Sequence, residues 1–387
     1  MQPLRVLSII GTRPEAIKMA PVIHELRKHH RIQSSVCVTA QHREMLDQVL
    51  RLFDIVPDYD LNIMRSNQSL NQLVARIASD LEPLLDRLHP DWILVQGDTT
   101  TVMAAAITAR HLRIKIGHIE AGLRTGDMDN PFPEEMNRVV VDAISDLHFV
   151  PTSYARQNLL REGIRDDTIV ITGNTVIDSL IAAASLPWKP LEDHPLFTLL
   201  NNGQELASPS KIILVTMHRR ENFGKPLQDI CLALKAIAQK SQTPIHFVYP
   251  VHLNPNVYGP VHELLGDDPH FSLVPPLDYL SLVNLMRRSV LILTDSGGIQ
   301  EEAPSLGVPV LVLRKVTERP EGVEAGTVRV VGIEPASIIE QTLHLLSDPS
   351  EYQAMAQAVN PYGDGHAAER IVARLLEEAL YSMHTAG

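Results

Sequence analysis

Short apolar runs recur along the chain, each leading into a turn rich in Gly, Pro or Thr and then an amphipathic stretch. Arg5 to Ile10, Ser35 to Thr39, Trp92 to Val95, Ile114 to Glu120, Asp146 to Val150 and Thr168 to Thr172 read as strands. After Pro209 the pattern restarts with Lys211 to Met217, Ile245 to Tyr249, Ser272 to Val274, Val290 to Leu293 and Val308 to Leu313. Runs apolar on both faces suit strands covered on both sides. Helical spacing covers Glu44 to Phe53, Ser69 to Leu88, an Ala-rich stretch ending at His111, Glu134 to Ser145 and Ser153 to Glu162. It returns at Leu227 to Gln239, Ala336 to Leu346, Glu351 to Ala358 and His366 to Met383. Pro14 suits the first position of a helix, whereas Pro21 should kink or restart that helix. Strand–helix alternation of this kind predicts parallel sheets with helices on both faces.

The 387 residues exceed one compact core, so the fold class expected is α/β with two Rossmann-like doubly wound domains. The first takes residues 1–185 plus a returning C-terminal helix at about 366–387. The second takes 186–365, behind a Pro-rich linker running from Leu186 to Pro209. Their ligand-binding strand ends would face each other across an interdomain cleft. A formal charge of 34 − 46 = −12 argues against a nucleic-acid partner. Cys37 and Cys231 read as small core residues, and the 17 histidines show no metal-ligand spacing. No apolar run reaches the roughly 18 residues that a membrane span needs, which points to a cytosolic enzyme with no membrane partner.

The polar residues that follow the strands carry the candidate chemistry. Asp295-Ser296-Gly297-Gly298-Ile299-Gln300-Glu301-Glu302 reads as strand end, tight turn and helix start. Glycines there let a ligand approach the backbone, and the helix start suits a phosphate. Glu302 can accept from ribose hydroxyls. Arg13, with Lys18 on the following helix, can grip a diphosphate. Asp98 stands after a buried strand, Glu120 ends the next one, and Glu134 opens a helix after Pro131-Phe132-Pro133. Each has a plainer alternative: a loop arginine, a helix cap, an acid suited to a helix dipole. Together the three acids sit at the carboxyl end of one sheet, where neighbouring carboxylates raise one another's pKa and suit proton transfer. In the second half, His218 follows the restart strand and His252 the next, with His218 able to donate to a phosphate.

At these residues the chain resembles the non-hydrolysing UDP-N-acetylglucosamine 2-epimerases of bacterial type. The resemblance rests on Gly11 to Lys18, Gln96 to Thr100, Ile119 to Arg124, Pro131 to Arg138, Thr172 to Thr175, His218 to Asn222, Asp295 to Glu302, Arg314 with Thr317 to Glu321, and Asn360 to Gly365. It implies a GT-B type fold, a homodimer, no metal or other cofactor, and reversible conversion of UDP-GlcNAc to UDP-ManNAc. The implied route is elimination of UDP to 2-acetamidoglucal followed by re-addition. Asp98, Glu120 and Glu134 would move protons at C2. Arg13, Lys18, His218, Ser296, Gly297 and Gly298 would meet the diphosphate. Glu302 would hold ribose and Leu277 would pack on uracil. Arg314, Glu318 and Arg319 would lie on a loop over the sugar. Some members also bind UDP-GlcNAc as an effector; Gln41, Glu44, Arg219 and His252 fall at that second site. Here Glu44 and Asn67 stand where regulated members carry Gln and Arg, a departure from that pattern.

Three other readings share these residues: a GT-B glycosyltransferase, an epimerase of a modified UDP-sugar, and a nucleotide-sugar-binding regulator without turnover. Three carboxylates on one sheet favour proton chemistry over the transferase.

Overall fold

The computed structural model describes residues 3–39, 43–65, 67–190, 194, 196 and 211–385. Gln41 and most of the expected linker lie outside them, as do the side chains of Arg43, Glu44 and residues 381–385. The chain divides into two compact units. One comprises Met1–Ile181 with Tyr362–Gly387, the other Ala182–Pro361.

The first unit carries β1 (Leu4–Ile10), α1 (Arg13–Lys28), β2 (Ile32–Val38), α2 (Arg43–Leu52), β3 (Tyr59–Asp60), α3 (Leu70–Leu88) and β4 (Trp92–Gln96). It continues through α4 (Thr100–His111), β5 (Lys115–Ile119), α5 (Glu134–Ile144), β6 (Leu147–Val150), α6 (Ser153–Arg161), β7 (Ile169–Ile171) and α7 (Thr175–Ser185). Its sheet runs β3-β2-β1-β4-β5-β6-β7, all parallel.

The second unit carries β8 (Lys211–Thr216), α8 (Lys225–Lys240), β9 (Ile245–Pro250), α9 (Pro255–Leu265), β10 (Phe271–Val274), α10 (Tyr279–Arg288), β11 (Leu291–Thr294) and α11 (Gly297–Glu302). After α11 come β12 (Val310–Val312), α12 (Pro320–Glu324), β13 (Val328–Val330), α13 (Pro335–Ser347) and α14 (Pro349–Ala356). Its sheet runs β10-β9-β8-β11-β12-β13, again parallel. The last helix, α15 (Ala367–Thr385), belongs to the first unit and packs on α1.

The strands are continuous apolar runs because helices cover both faces of each sheet. Every residue of β4 is buried. Between the first sheet and its helices lie Leu7, Ile9, Ile77, Leu81, Leu85, Ile93 and Val95. In the second unit Val215, Leu234, Ile237, Phe247, Tyr249, Leu293 and Leu311 do the same. Small side chains on α4, among them Ala104, Ala105 and Ala109, let it pack closely on α3 and α5. Ser69 and Gln72 close a reciprocal capping box at the start of α3.

Pro21 does not restart its helix: α1 runs unbroken from Arg13 to Lys28. The carbonyl that Pro21 cannot bond is that of Ile17, four residues back. The Ser179 hydroxyl of α7 lies 2.5 Å from it and donates in the missing amide's place. An outside donor removes the unsatisfied carbonyl, and the helix carries on. Cys37 and Cys231 are free and buried, and burial pushes both thiols up to about 12. Among the described residues, no helix is long and apolar enough to cross a membrane.

Candidate active site

Strand register brings the sequence-distant candidates together at the carboxyl end of each sheet. In the first unit Gln96 lies beside Ile119. The turn carrying Asp98 and the turn carrying Glu120 therefore leave adjacent strands at the same level. Glu120 adopts a left-handed backbone, φ 65°, which for a non-glycine residue marks a constrained position. Its buried carboxylate accepts from Lys18 Nζ on α1 and from Gln96 Nε2. Asp98 accepts from Arg138 Nη2 on α5, and its carbonyl accepts from Asn137 Nδ2 at 2.8 Å. The two carboxylates are thus each matched to a cation, Glu120 to Lys18 and Asp98 to Arg138.

Glu134 and Glu135 are neighbours with different commitments. Glu135 is buried and accepts from Thr125 N–H at 2.9 Å, Gly126 N–H at 3.0 Å and Arg138 Nη1 at 3.1 Å. It fixes the turn ahead of α5. Among the described residues no hydrogen bond or ion pair engages the Glu134 side chain, which begins α5 and remains available to a ligand.

Sequence reasoning passed over Glu15. It lies on the first turn of α1 and is 2% exposed. It accepts from Gly11 N–H at 2.6 Å, Thr12 Oγ1 at 2.9 Å and Thr99 Oγ1 at 2.8 Å. It therefore joins the turn that carries Arg13, half-buried at the start of α1, to the turn that carries Asp98. Burial pushes its carboxyl up to about 7, against the pull of those three donors. Arg138 and Gln96 were also passed over as functional residues. Their partners lie far away in sequence, so no local pattern marks them.

In the second unit the register sets Thr216 beside Thr294 and Thr294 beside Val312. Two residues beyond these, on adjacent strands, stand His218, Ser296 and Arg314. Asp295, fully buried, accepts from the backbone N–H groups of His218 and Arg219 and from Asn222 Nδ2, and so shapes the 218–222 turn. His218 Nδ1 lies 3.4 Å from the same carboxylate, and its ring stacks on His252 with centroids 6.0 Å apart. Burial, with Arg219, His252 and Arg314 nearby, holds its pKa below the usual value despite Asp295. The neutral ring is the favoured form.

The guanidinium groups of Arg219 and Arg319 stand over Gly297, 3.7 Å and 3.8 Å from where a Cβ would be. Arg219 pairs with Glu318, Arg314 with Glu221 and Glu318, and Arg319 with Glu301. Burial raises Glu318, but Arg219, Arg314 and Arg319 outweigh it and hold its carboxyl below the ordinary value. The 314–319 segment is thereby tied to its own unit. Arg219 Nε and Arg314 Nη1 are buried N–H groups with no hydrogen-bond partner among the described residues. Buried donors of this kind suit an anionic ligand. Glu302 Oε2 accepts from the Tyr279 hydroxyl at 2.9 Å, and half-buried Leu277 lies just ahead of α10.

Of the residues expected at a second, effector site, Arg219 and His252 border the cradle just described. Gln41 and the Glu44 side chain fall outside the described residues. A cavity of about 890 Å³ lies elsewhere, at the amino ends of β1, β4 and β5. Open α/β sheets bind ligands at the carboxyl ends, so the acids mark the candidate surface of the first unit and the arginine cradle that of the second. His344, Asp348 and Glu351 also cluster within 4.8 Å, but Glu351 is already paired with Arg329 and Asp348 caps α14.

Parallel doubly wound units with acid–cation pairs on one sheet and arginines around a glycine turn on the other have the outline of a sugar-nucleotide enzyme. Comparison with known proteins specifies the class. The family model described as UDP-N-acetylglucosamine 2-epimerase matches residues 24–376. A UDP-N-acetylglucosamine 2-epimerase of Escherichia coli strain K12 is 54% identical over 372 residues, covering 96% of this chain and 98% of the relative. The crystal structure of the Neisseria meningitidis UDP-GlcNAc 2-epimerase bound to UDP-GlcNAc is 51% identical. It covers 97% of this chain and 100% of that one, with a TM-score of 0.84. The Methanocaldococcus jannaschii enzyme in complex with UDP-GlcNAc and UDP is 32% identical, covers 97% of this chain and 100% of that one, and has a TM-score of 0.77. The chain belongs to the UDP-N-acetylglucosamine 2-epimerase family.

Proposed function

We propose that this chain interconverts UDP-GlcNAc and UDP-ManNAc by eliminating and re-adding UDP. The observation that carries the reading is 54% identity over 96% of the chain to an epimerase of that name. The site geometry supplies roles for the residues. Departure of UDP breaks the C1–O bond and leaves the electron pair on the diphosphate. A carboxylate takes the C2 proton, and the C1=C2 bond of 2-acetamidoglucal forms. Return of a proton to the opposite face of C2 and of the diphosphate to C1 completes the inversion. Asp98, Glu120 and Glu134 are the proton-transfer candidates. Lys18 and Arg138 keep Glu120 and Asp98 oriented and charge-matched. Arg13, His218, Arg219, Arg314, Arg319 and the Ser296-Gly297-Gly298 turn stabilise the charge that builds on the departing diphosphate. A neutral His218 serves as a hydrogen-bond donor in that role. Glu302 takes the ribose and Leu277 the uracil.

The same reading makes the protein a homodimer of the cytoplasm; two buried free thiols suit a reducing compartment. Incubation of the purified protein with UDP-GlcNAc in deuterated water is the test. UDP-ManNAc should appear, with deuterium at C2 of both sugars. Absence of both product and label rejects the reading. Asp98→Asn and Glu120→Gln should each lower turnover by about 10²-fold or more, the size typical of a lost acid or base. Near-normal rates in both would remove the carboxylates from the mechanism.

A further inference from the structure

Behind the candidate carboxylates, on the core side of the first sheet, lies a buried charged network that the mechanism above does not use. His118, on β5, is fully buried, as is Asp142 on α5. His118 Nδ1 is 2.5 Å from Asp142 Oδ1, and its Nε2 is 2.8 Å from the carbonyl oxygen of Gly97. A carbonyl only accepts, so Nε2 carries a proton. The other oxygen of Asp142 accepts from Gly122 N–H at 3.1 Å and from Arg124 at 2.8 Å. Two donors on that oxygen favour an ionised carboxylate, and an ionised Asp142 accepts from Nδ1 as well. Both ring nitrogens therefore carry protons.

The connections matter as much as the charge. Gly97 directly precedes Asp98, and Gly122 follows Glu120 by two residues. One histidine–aspartate pair thus grips the backbone on the far side of both acid-bearing turns. We propose that His118, as a permanent imidazolium on Asp142, is the positioning residue that sets Asp98 and Glu120 at their working separation.

Other charged and titratable groups around the pair agree with this. Arg124 is shared between Asp142 and Glu162. His148, the register neighbour of His118 on β6, bonds the carbonyl of Asp142 and leaves its carboxylate to His118 and Arg124. Burial alone would strip the proton from His118, but Asp142 and the Gly97 carbonyl reverse that and raise its pKa. Burial likewise opposes ionisation of Asp142, yet His118 and Arg124 hold it down to about 2.

The functional half of this inference rests on the proposed epimerisation; the charge state does not. The test uses the whole protein labelled with ¹⁵N-histidine, with His118→Gln to assign the signal. Both His118 ring nitrogens should show directly bonded protons from pH 6 to about pH 8, beyond the ordinary histidine range. One unprotonated ring nitrogen at pH 7 overturns the imidazolium whether or not the protein is an epimerase. In uniformly ¹⁵N-labelled His118→Gln and Asp142→Asn the backbone amides of Asp98, Glu120 and Gly122 should shift from their wild-type positions. Turnover should fall about tenfold or more with KM within about twofold, since a misplacement of about 1 Å costs up to ~10²-fold in rate. Unmoved amides, or wild-type turnover in both folded variants, overturn the positioning role. If His118→Gln does not fold, assignment through Asp142→Asn and the wild-type spectrum still decides the charge state.

Discussion

Replacing Glu15 with glutamine should make the first unit more stable at alkaline pH, and the gain can be worked from the site. An unfolded glutamate releases its proton near 4.5, whereas the folded Glu15 holds it to about 7. Between those values the native state binds the extra proton, so stability falls as pH rises through the window. Below 4.5 both states are protonated and the group costs nothing. Above about 7 both are ionised and the full penalty of a buried charge applies. At about 1.4 kcal/mol per pH unit, the gap corresponds to about 3 kcal/mol. A glutamine side chain in the same place never ionises. Its oxygen can accept from Gly11 N–H and its amide can donate to the hydroxyl oxygens of Thr12 and Thr99, so its own cost is independent of pH. The stability of Glu15→Gln relative to wild type should therefore rise by about 3 kcal/mol from pH 4.5 to pH 8. Trp92, on β4 of the same sheet and 2% exposed, reports unfolding of this unit by fluorescence once Trp188 is replaced with phenylalanine. Denaturant midpoints at several pH values give the comparison. His118 and Asp142 titrate alike in both proteins and cancel. A difference that stays flat across the window would refute a neutral buried carboxyl at Glu15.

Ser179→Ala should destabilise the protein by about 1–3 kcal/mol, because the Ile17 carbonyl loses its donor. Pro21→Ala restores a backbone amide there, so the double variant should recover most of that loss; strict additivity in a double-mutant cycle would contradict the pairing. If Glu302, held by Tyr279, takes the ribose as proposed, Tyr279→Phe and Glu302→Ala should raise KM for UDP-GlcNAc and leave kcat near normal, since such a contact is made equally in ground and transition states. A fall in kcat at unchanged KM in steady-state kinetics would argue against that role. Gly122→Ala should cost at least about 2 kcal/mol, from a strained backbone and steric overlap together. Its φ is 79° and the new Cβ would lie 2.4 Å from the Ala155 carbonyl oxygen. A melting temperature close to wild type would show that α6 gives way.

The two parallel sheets were legible because continuous apolar runs alternate with amphipathic ones, a pattern that few other folds produce. What escaped was short or solvated. β3 spans Tyr59–Asp60 and β13 spans Val328–Val330, segments too brief to show a period. Helix α9 contains Pro260, and α10 follows a Pro-rich turn, so neither reads clearly as a helix. The restart expected at Pro21 does not occur, and the donor that replaces its missing amide comes from Ser179, 162 residues away from Ile17. In the candidate site, residues at strand ends could be named from position alone. Their partners could not: Gln96 and Lys18 reach Glu120, Arg138 reaches Asp98 and Tyr279 reaches Glu302 only once the strands are in register. The left-handed backbone at Glu120 has no sequence signal at all, since glutamate gives no hint of that conformation.

Because α15 belongs with the first 181 residues, biosynthesis takes an unusual order. The ribosome releases the second unit as one uninterrupted piece, while the first waits, its α1 face bare, until the residues of α15 are made. Stopping translation ahead of residue 362 therefore strands the half that was made earliest, and a fragment built from its contiguous residues alone would expose the apolar surface that α15 covers.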